Sequence, residues 1–214
     1  MLLTSKIQKA INMAAEKHLN QKRKNTGYPF VVHPFSVGFI LSEFTNDEDI
    51  IAAGLLHDVL EDAENYTFLD MKNDFGLRVA EIVKESSEEK YPKGIKDKKI
   101  TWETRKKQKL RQLKNASKEA LMVSAADKIH NLKSIIRNYG KQGEKIWTKF
   151  NAPPEKKYWY YKEAVGIITK RLDGKISRDL KKITIIQPVN YRVYRDFKYS
   201  RFNCCDFFLK IIYA

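Results

Sequence analysis

The amino-acid sequence predicts an all-α fold on the strength of three patterns. Apolar residues recur every three or four positions along most of the chain before Gly174, as on one face of an amphipathic helix. Cap residues and first-turn acids precede the apolar run that begins at Ile50. The alternation typical of strands is confined to the region after Gly174. A helical bundle therefore accounts for most of the sequence.

Each helix of this bundle can be placed along the chain. The second begins near Pro34, whose missing N–H costs nothing in a first turn. The segment TNDEDIIAAGLLHDVLED is apolar nearly all round, so we expect one continuous, central, buried helix there. The first helix carries an apolar stripe at Ile7, Ala10, Ile11, Ala14, Ala15 and His18. Further helices are expected in YTFLDMKNDFG, LRVAEIVKES, TWETRKKQKLRQLKN, SKEALMVSAADKIHNLKSIIRNY, GEKIWTKF and EKKYWYYKEAVGIITKRL.

Length and composition suit one domain with an appendage. At 214 residues and 25.1 kDa the chain can bury a proper core. We place the helical domain at residues 1–174 and a basic, aromatic C-terminal extension, partly β or disordered, at 175–214. The charged segment SEEKYPKGIKDKKI is expected to be an exposed loop.

The charge and the cysteine content restrict the classes of binding partner and the cellular compartment that we expect. The formal net charge of +15 favours anionic partners, but no zinc-finger spacing, RNP motif or Gly-rich phosphate loop accompanies it, which disfavours nucleic acid. The sequence shows no signal peptide and no apolar run long enough to cross a membrane. Adjacent Cys204 and Cys205 cannot join distant segments. We expect a cytoplasmic protein, with a homo-oligomer left open.

The stretch LLHDVLED indicates a metal site. Four polar side chains follow a buried run, and on a helix they would fall within one arc: His57, Asp58, Glu61 and Asp62. Imidazole plus carboxylate suits a divalent ion such as manganese, iron or zinc. His33 and Asp127 could complete the set, although His33 could instead cap a helix and Asp127 could pair with Lys128 or Arg137.

The order His33, His57-Asp58, Asp127 resembles the signature of HD-domain metal-dependent phosphohydrolases. More narrowly, the chain is similar to the hydrolase domain of RelA/SpoT enzymes and to the free-standing small alarmone hydrolases. The resemblance covers roughly residues 5–172 and includes the stretches AAGLLHDVLEDAENYTFLDMKNDFGLRVAEIV and ADKIHNLKSI. It implies an HD-domain helical bundle that removes the 3′-pyrophosphate from ppGpp and pppGpp, giving GDP or GTP and pyrophosphate.

The resemblance also implies roles for individual residues. One divalent ion, usually manganese with zinc and iron as alternatives, would be bound by His33, His57, Asp58 and Asp127. Glu61 and Asp62 would position or deprotonate the attacking water. The expected substrate contacts are Arg23 and Lys24 to the base and phosphates, Asn131 near the ribose, and Tyr160 as an aromatic contact.

Three alternatives stay open at this level. The chain could be an HD phosphohydrolase of another nucleotide, such as an NADPH 2′-phosphatase or a nucleotide pyrophosphatase. It could be an alarmone-hydrolysing antitoxin to a small alarmone synthetase, or a non-catalytic nucleic-acid-binding protein. His18 and His130 are interpreted as structural, since the ligand set is complete without them. No synthetase motif is present, so hydrolysis without synthesis is expected.

Overall fold

The computed structural model describes residues 3–24, 26–63, 65–88 and 101–184. Within these ranges the regular structure is helical apart from one isolated bridge between Lys22 and Pro29, so the all-α prediction is confirmed. The helices are α1 (Ser5–Lys17), α2 (Val32–Ser42), α3 (Glu48–Leu56), α4 (Val59–Asp62), α5 (Phe68–Phe75), α6 (Leu77–Ser86), α7 (Trp102–Asn115), α8 (Lys118–Gln142), α9 (Pro154–Arg171) and α10 (175–184). A 3₁₀ helix at Gly143–Lys149 joins α8 to α9. No described helix is both long enough and apolar enough to span a bilayer.

Helix α3 is the centre of the core. Every residue from Ile50 to Leu56 is buried, and the helix packs against α1, α2, α6 and α8. The 25-residue α8 also packs against α2, α6 and α9. Because α2, α3 and α8 all contact one another, polar side chains at their facing ends can meet in one place.

Two glycines allow α2 and α3 to lie close together. A Cβ atom added at Gly38 would lie 2.7 Å from Leu55 Cδ2, and one added at Gly54 would overlap the side chain of Leu41. Any larger residue would push the helices apart or distort the packed leucines. The small residues therefore set the spacing between α2, which carries His33, and α3, which ends immediately before His57.

The prediction of one continuous helix through LLHDVLED was wrong. Helix α3 ends at Leu56, α4 begins at Val59, and His57 and Asp58 form the turn between them. His57 Nδ1 bonds the Gly54 carbonyl at 2.7 Å, and Ser87 Oγ donates to the His57 carbonyl at 2.7 Å. In a continuous helix these two carbonyls would accept from main-chain N–H groups four residues later. Side chains satisfy them instead, which allows the break.

The C-terminal region begins as helix. Residues 175–184, which the sequence assigned to the extension, form α10, and Ile176 and Leu180 are buried in the common core. Residues 185–214, which contain most of the alternating sequence, lie outside the described residues. The same holds for 89–100, the greater part of the predicted charged loop. The boundary at Gly174 and the strand-like tail stay predictions.

Candidate metal centre and adjoining cavities

The structure brings the four sequence-predicted metal ligands together. His33 is the second residue of α2, His57 and Asp58 occupy the turn after α3, and Asp127 lies in α8. His33 Nε2 lies 3.2 Å from His57 Nε2, 3.6 Å from Asp58 Oδ2 and 3.2 Å from Asp127 Oδ1. His57 Nε2 lies 3.2 Å from Asp58 Oδ2. Residues from three separate elements thus converge on one point.

The donor atoms of this cluster fit a metal ion. One donor atom each from His33, His57 and Asp58 lies within 4.8 Å of the others, and both histidines are buried. The Gly54 carbonyl faces His57 Nδ1, so this nitrogen carries the hydrogen and Nε2 presents its lone pair to the cluster. Two imidazole nitrogens with a carboxylate form a donor set that binds divalent ions.

Asp127 links the cluster to Asn131 and, through it, to Arg23. Its carboxylate accepts hydrogen bonds of 2.5 Å from Asn131 Nδ2 and from Lys128 Nζ. Asn131 in turn accepts from Arg23 Nη2 at 3.0 Å. The pairing with Lys128, which the sequence left as an alternative for Asp127, therefore exists alongside the contact with His33. One carboxylate serves both.

The cluster also shifts the pKa values of its own groups. Burial disfavours a positive charge on the His33 and His57 rings, and it lowers the pKa of His33. At His57 the negative charge of Asp58 outweighs burial and raises the pKa to about 9. Burial alone would raise the pKa of Asp58, but the neighbouring His57 keeps it below its ordinary value. A proton on His57 occupies the space that a metal ion would take, so metal binding displaces it.

Glu61 and Asp62 follow the cluster on α4. Burial, followed by the charges of Glu88 and Asp58, raises the pKa of Glu61 to about 7. A carboxyl group that titrates near neutrality can both accept and return a proton. Glu61 lines the same cavity as the histidines, whereas Asp62 lines the neighbouring one. The structure therefore separates two acids that the sequence treated as a pair.

The His33–His57–Asp58 cluster forms one wall of a cavity of about 200 Å³. Tyr160 is buried there between two lysines, with Lys106 Nζ 4.8 Å and Lys128 Nζ 5.7 Å from its ring centre. The described lining residues are Arg23, Phe30, His33, His57, Asp58, Glu61, Ser86, Glu88, Lys106, Lys109, Asp127, Lys128, Asn131, Tyr160 and Tyr161. Anionic groups that enter the cavity would contact lysine and arginine side chains beside the His33–His57–Asp58 cluster.

Lys109 shows how tightly these cations are fixed. It is 3% exposed, and its Nζ donates to the carbonyls of Glu85, Ser86 and Ser87 at 2.6–3.1 Å, at the end of α6. Burial, followed by the charge of Lys128, lowers the pKa of Lys109 to about 7. The ammonium therefore satisfies a helix terminus while it lines the cavity.

A second cavity of about 650 Å³ adjoins the first and shares Arg23, Phe30, Lys106, Asn131 and Tyr161 with it. Lys157 lines this larger space, and its Nζ lies 4.0 Å from the ring centre of Phe150. Lys24, predicted beside Arg23 at the substrate, is exposed on the rim of this cavity and donates to Asn151 Oδ1 at 3.0 Å. Arg23 faces both cavities, but Lys24 faces only the larger one.

Sequence reasoning assigned no role to three charged residues of the smaller cavity, Lys106, Lys109 and Glu88, and considered Lys128 only as an alternative partner of Asp127. A signal for the lysines was present. Lys106 and Lys109 share the i, i+3, i+4, i+7 stripe of α7 with Leu110 and Leu113, so their side chains point inward. Glu88 forms ion pairs with Lys106 and, at 2.6 Å, with Arg105.

The fold and the cluster define an all-α protein with a buried His/Asp centre in the wall of a polar cavity. The HD domain family model matches residues 10–154, and the chain belongs to this family. Its expected family membership is thereby confirmed.

Relatives and a solved structure agree with this assignment. The guanosine-3′,5′-bis(diphosphate) 3′-pyrophosphohydrolase MESH1 of Danio rerio is 36% identical over 138 residues, which cover 63% of this chain and 71% of that protein. The guanosine-3′,5′-bis(diphosphate) 3′-pyrophosphohydrolase of Aquifex aeolicus is 36% identical over 133 residues, 60% of this chain but 18% of that protein. A solved structure, described as a metazoan ortholog of SpoT that hydrolyzes ppGpp, superposes with a TM-score of 0.70 at 26% identity, covering 87% of this chain and 98% of that chain.

Proposed function

We propose that the chain is a metal-dependent hydrolase that removes the 3′-pyrophosphate of ppGpp and pppGpp. The observation that carries this proposal is the position of the His33–His57–Asp58 cluster in the wall of a cavity that Lys106 and Lys128 also line. A centre that can activate water thus lies beside cations suited to phosphate oxygens. The names of the relatives from Danio rerio and Aquifex aeolicus support the choice of guanosine-3′,5′-bis(diphosphate) as substrate.

The metal ion inferred for this centre is Mn²⁺, with His33, His57, Asp58 and Asp127 as its ligands. Mixed imidazole and carboxylate donors favour such borderline divalent ions over Mg²⁺ or Ca²⁺, which prefer oxygen ligands alone. The bound ion would act as a Lewis acid and lower the pKa of a coordinated water.

The protein's own groups account for the remaining steps. Glu61 takes a proton from the attacking water and returns one to the departing 3′-oxygen of the ribose, as its pKa near 7 permits. Water adds to the phosphorus next to the ribose, the bond from that phosphorus to the 3′-oxygen breaks, and pyrophosphate leaves. Lys106 and Lys128 neutralise its oxygens.

The larger cavity provides room for the nucleoside. Asn131 lies between the two cavities, which suits a contact to the ribose, and Arg23 faces both. Lys24 and Lys157 on the larger side suit the 5′-phosphates. Asp62, also on that side, would orient water or ribose. Tyr160 lines the smaller cavity beside Lys106 and Lys128, which suits the predicted aromatic contact to the substrate.

The deciding experiment is a product assay. Protein loaded with Mn²⁺ is incubated separately with ppGpp, pppGpp and NADPH, and the products are separated by anion-exchange chromatography. We expect GDP or GTP with pyrophosphate, and we expect Asp58→Ala to lose both bound metal and turnover. Release of phosphate from NADPH without turnover of either alarmone would replace this function by the NADPH phosphatase alternative.

A further inference from the structure

His130 makes a contact that neither the fold nor the proposed reaction requires. Its Nδ1 lies 2.6 Å from His33 Nδ1, on the side of the His33 ring opposite the metal cluster. The ring centres lie 4.8 Å apart and the ring planes are inclined by 29°, so the two imidazoles face each other nearly edge to edge through these nitrogens. His33 itself is 3% exposed, so His130 satisfies a nitrogen that water hardly reaches.

The direction of this hydrogen bond follows from the orientation of His33 in the proposed metal centre. A bond between two ring nitrogens needs one N–H group and one lone pair. His33 directs Nε2 at His57 and Asp127, so metal binding there requires its hydrogen on Nδ1. His33 Nδ1 therefore donates, and His130 Nδ1 accepts.

The contact also connects the candidate ligand His33 to α8, the helix that carries Asp127. His130 follows Asp127 on α8 by three residues, so both side chains lie on the same face. Asp127 contacts His33 Nε2 while His130 contacts His33 Nδ1. Phe30 closes a further side of the ring edge-on, with centres 5.8 Å apart. The orientation of His33 is thus determined from α8 at both nitrogens.

We propose that His130 is a positioning residue for the metal centre: it fixes the tautomer and the ring orientation of His33 and thereby raises the affinity for the metal ion. His57 receives the same support from the main-chain carbonyl of Gly54. Outer partners of ligating histidines contribute about 10- to 100-fold to metal affinity. This inference rests on the proposed metal centre but not on the identity of the nucleotide.

Two substitutions separate the hydrogen bond from the ring contact. His130→Phe keeps an aromatic ring beside His33 and removes the acceptor, whereas His130→Asn removes the ring and keeps an acceptor at the position of Nδ1. Mn²⁺ affinity is measured by competition with a fluorescent chelator. We expect about a 10- to 100-fold loss in His130→Phe and near wild-type affinity in His130→Asn. Wild-type affinity in His130→Phe, or equal losses in both variants, would overturn the proposal.

A second measurement needs no variant. Nitrogen-15 NMR of the Zn²⁺-loaded wild-type protein reports which ring nitrogen of His33 carries the hydrogen. The proposal requires Nδ1, and a hydrogen on Nε2 would refute it even if His130→Phe failed to fold. A wild-type protein that binds Mn²⁺ but leaves ppGpp intact would remove the proposed substrate while the role of His130 could still be tested.

Discussion

The Nε2 atoms of His33 and His57 lie 3.2 Å apart, although the two histidines are 24 residues apart in the chain. This distance depends on how closely α2 approaches α3. Gly54, in α3, lies against Leu41 of α2, and its carbonyl also accepts the hydrogen bond from His57 Nδ1. Gly54 therefore affects both the packing of α3 on α2 and the orientation of His57.

We expect Gly54→Ala to destabilise the protein by about 1–3 kcal/mol, because the added methyl group overlaps Leu41 in a filled core. Gly166 in α9 is the matched control, since a Cβ there meets no atom within 4 Å. Gly166→Ala should stabilise by about 0.5–1 kcal/mol through helix propensity. Urea unfolding in the presence of a chelator measures both. Equal effects at the two glycines would contradict the close packing of α2 on α3.

Lys106→Ala should raise the KM for ppGpp by about tenfold or more, because a half-buried cation beside Glu88 and Tyr160 is lost from the cavity proposed to bind the phosphates. The neighbouring Lys107 is the control. It is exposed and pairs with Glu103 at 2.8 Å, so Lys107→Ala should leave the KM unchanged. Steady-state kinetics on both variants makes the comparison, and a similar KM in the two would rule out phosphate binding by Lys106.

Asn131→Ala should weaken metal binding as well as substrate binding. Asn131 donates to Asp127 and accepts from Arg23, so its removal takes one hydrogen bond from the candidate ligand Asp127 and the side-chain acceptor from Arg23. We expect about a 10-fold loss of Mn²⁺ affinity, in the range for outer-shell partners, and a higher KM. Chelator competition and kinetics test the two effects separately. Unchanged Mn²⁺ affinity would mean that Asp127 needs no support from Asn131.

Glu61 should make the metal-free protein less stable as the pH rises. Burial raises its pKa from 4.5 to about 7, so between these values the folded state binds the proton more tightly than the unfolded state. The resulting stability is fully present below about pH 4.5 and is lost as the pH passes about 7. Glu61→Gln stays neutral throughout, so its free energy of unfolding relative to wild type should increase across this window and then level off.

The measurement is urea unfolding with a chelator at several pH values. Glu81→Gln is the control for the loss of one carboxylate charge, because Glu81 is exposed on α6. A constant difference between Glu61→Gln and wild type over the whole range would show that Glu61 titrates as an ordinary carboxyl group.

The sequence was sufficient to predict the all-α class and to select four candidate ligands that lie close together in the structure. Periodicity places Ile7 and Ala10 inward, and the caps mark where helices begin. The break after Leu56 was not predictable by the same means, because it depends on Ser87, a residue 30 positions from His57 that bonds its carbonyl. Local patterns carry no information about such a distant donor.

The orientation of the residues expected to bind substrate was harder to predict for a related reason. Arg23 and Lys24 are neighbours in sequence, yet Arg23 reaches Asn131 and Lys24 reaches Asn151 on the rim. The backbone pairing of Arg23 N–H with the Tyr28 carbonyl, at 2.8 Å, sets which side chain faces inward. The family resemblance assigned both residues to the substrate without distinguishing them.

The described walls of the smaller cavity carry four cationic and four carboxylate side chains, whose formal charges cancel. With neutral histidines, a divalent ion would give this space a surplus of two positive charges. Metal loading and capture of a polyphosphate anion are then thermodynamically linked, so each strengthens the other by the same factor. A chelator would accordingly weaken the binding of the nucleotide as well as stop its hydrolysis.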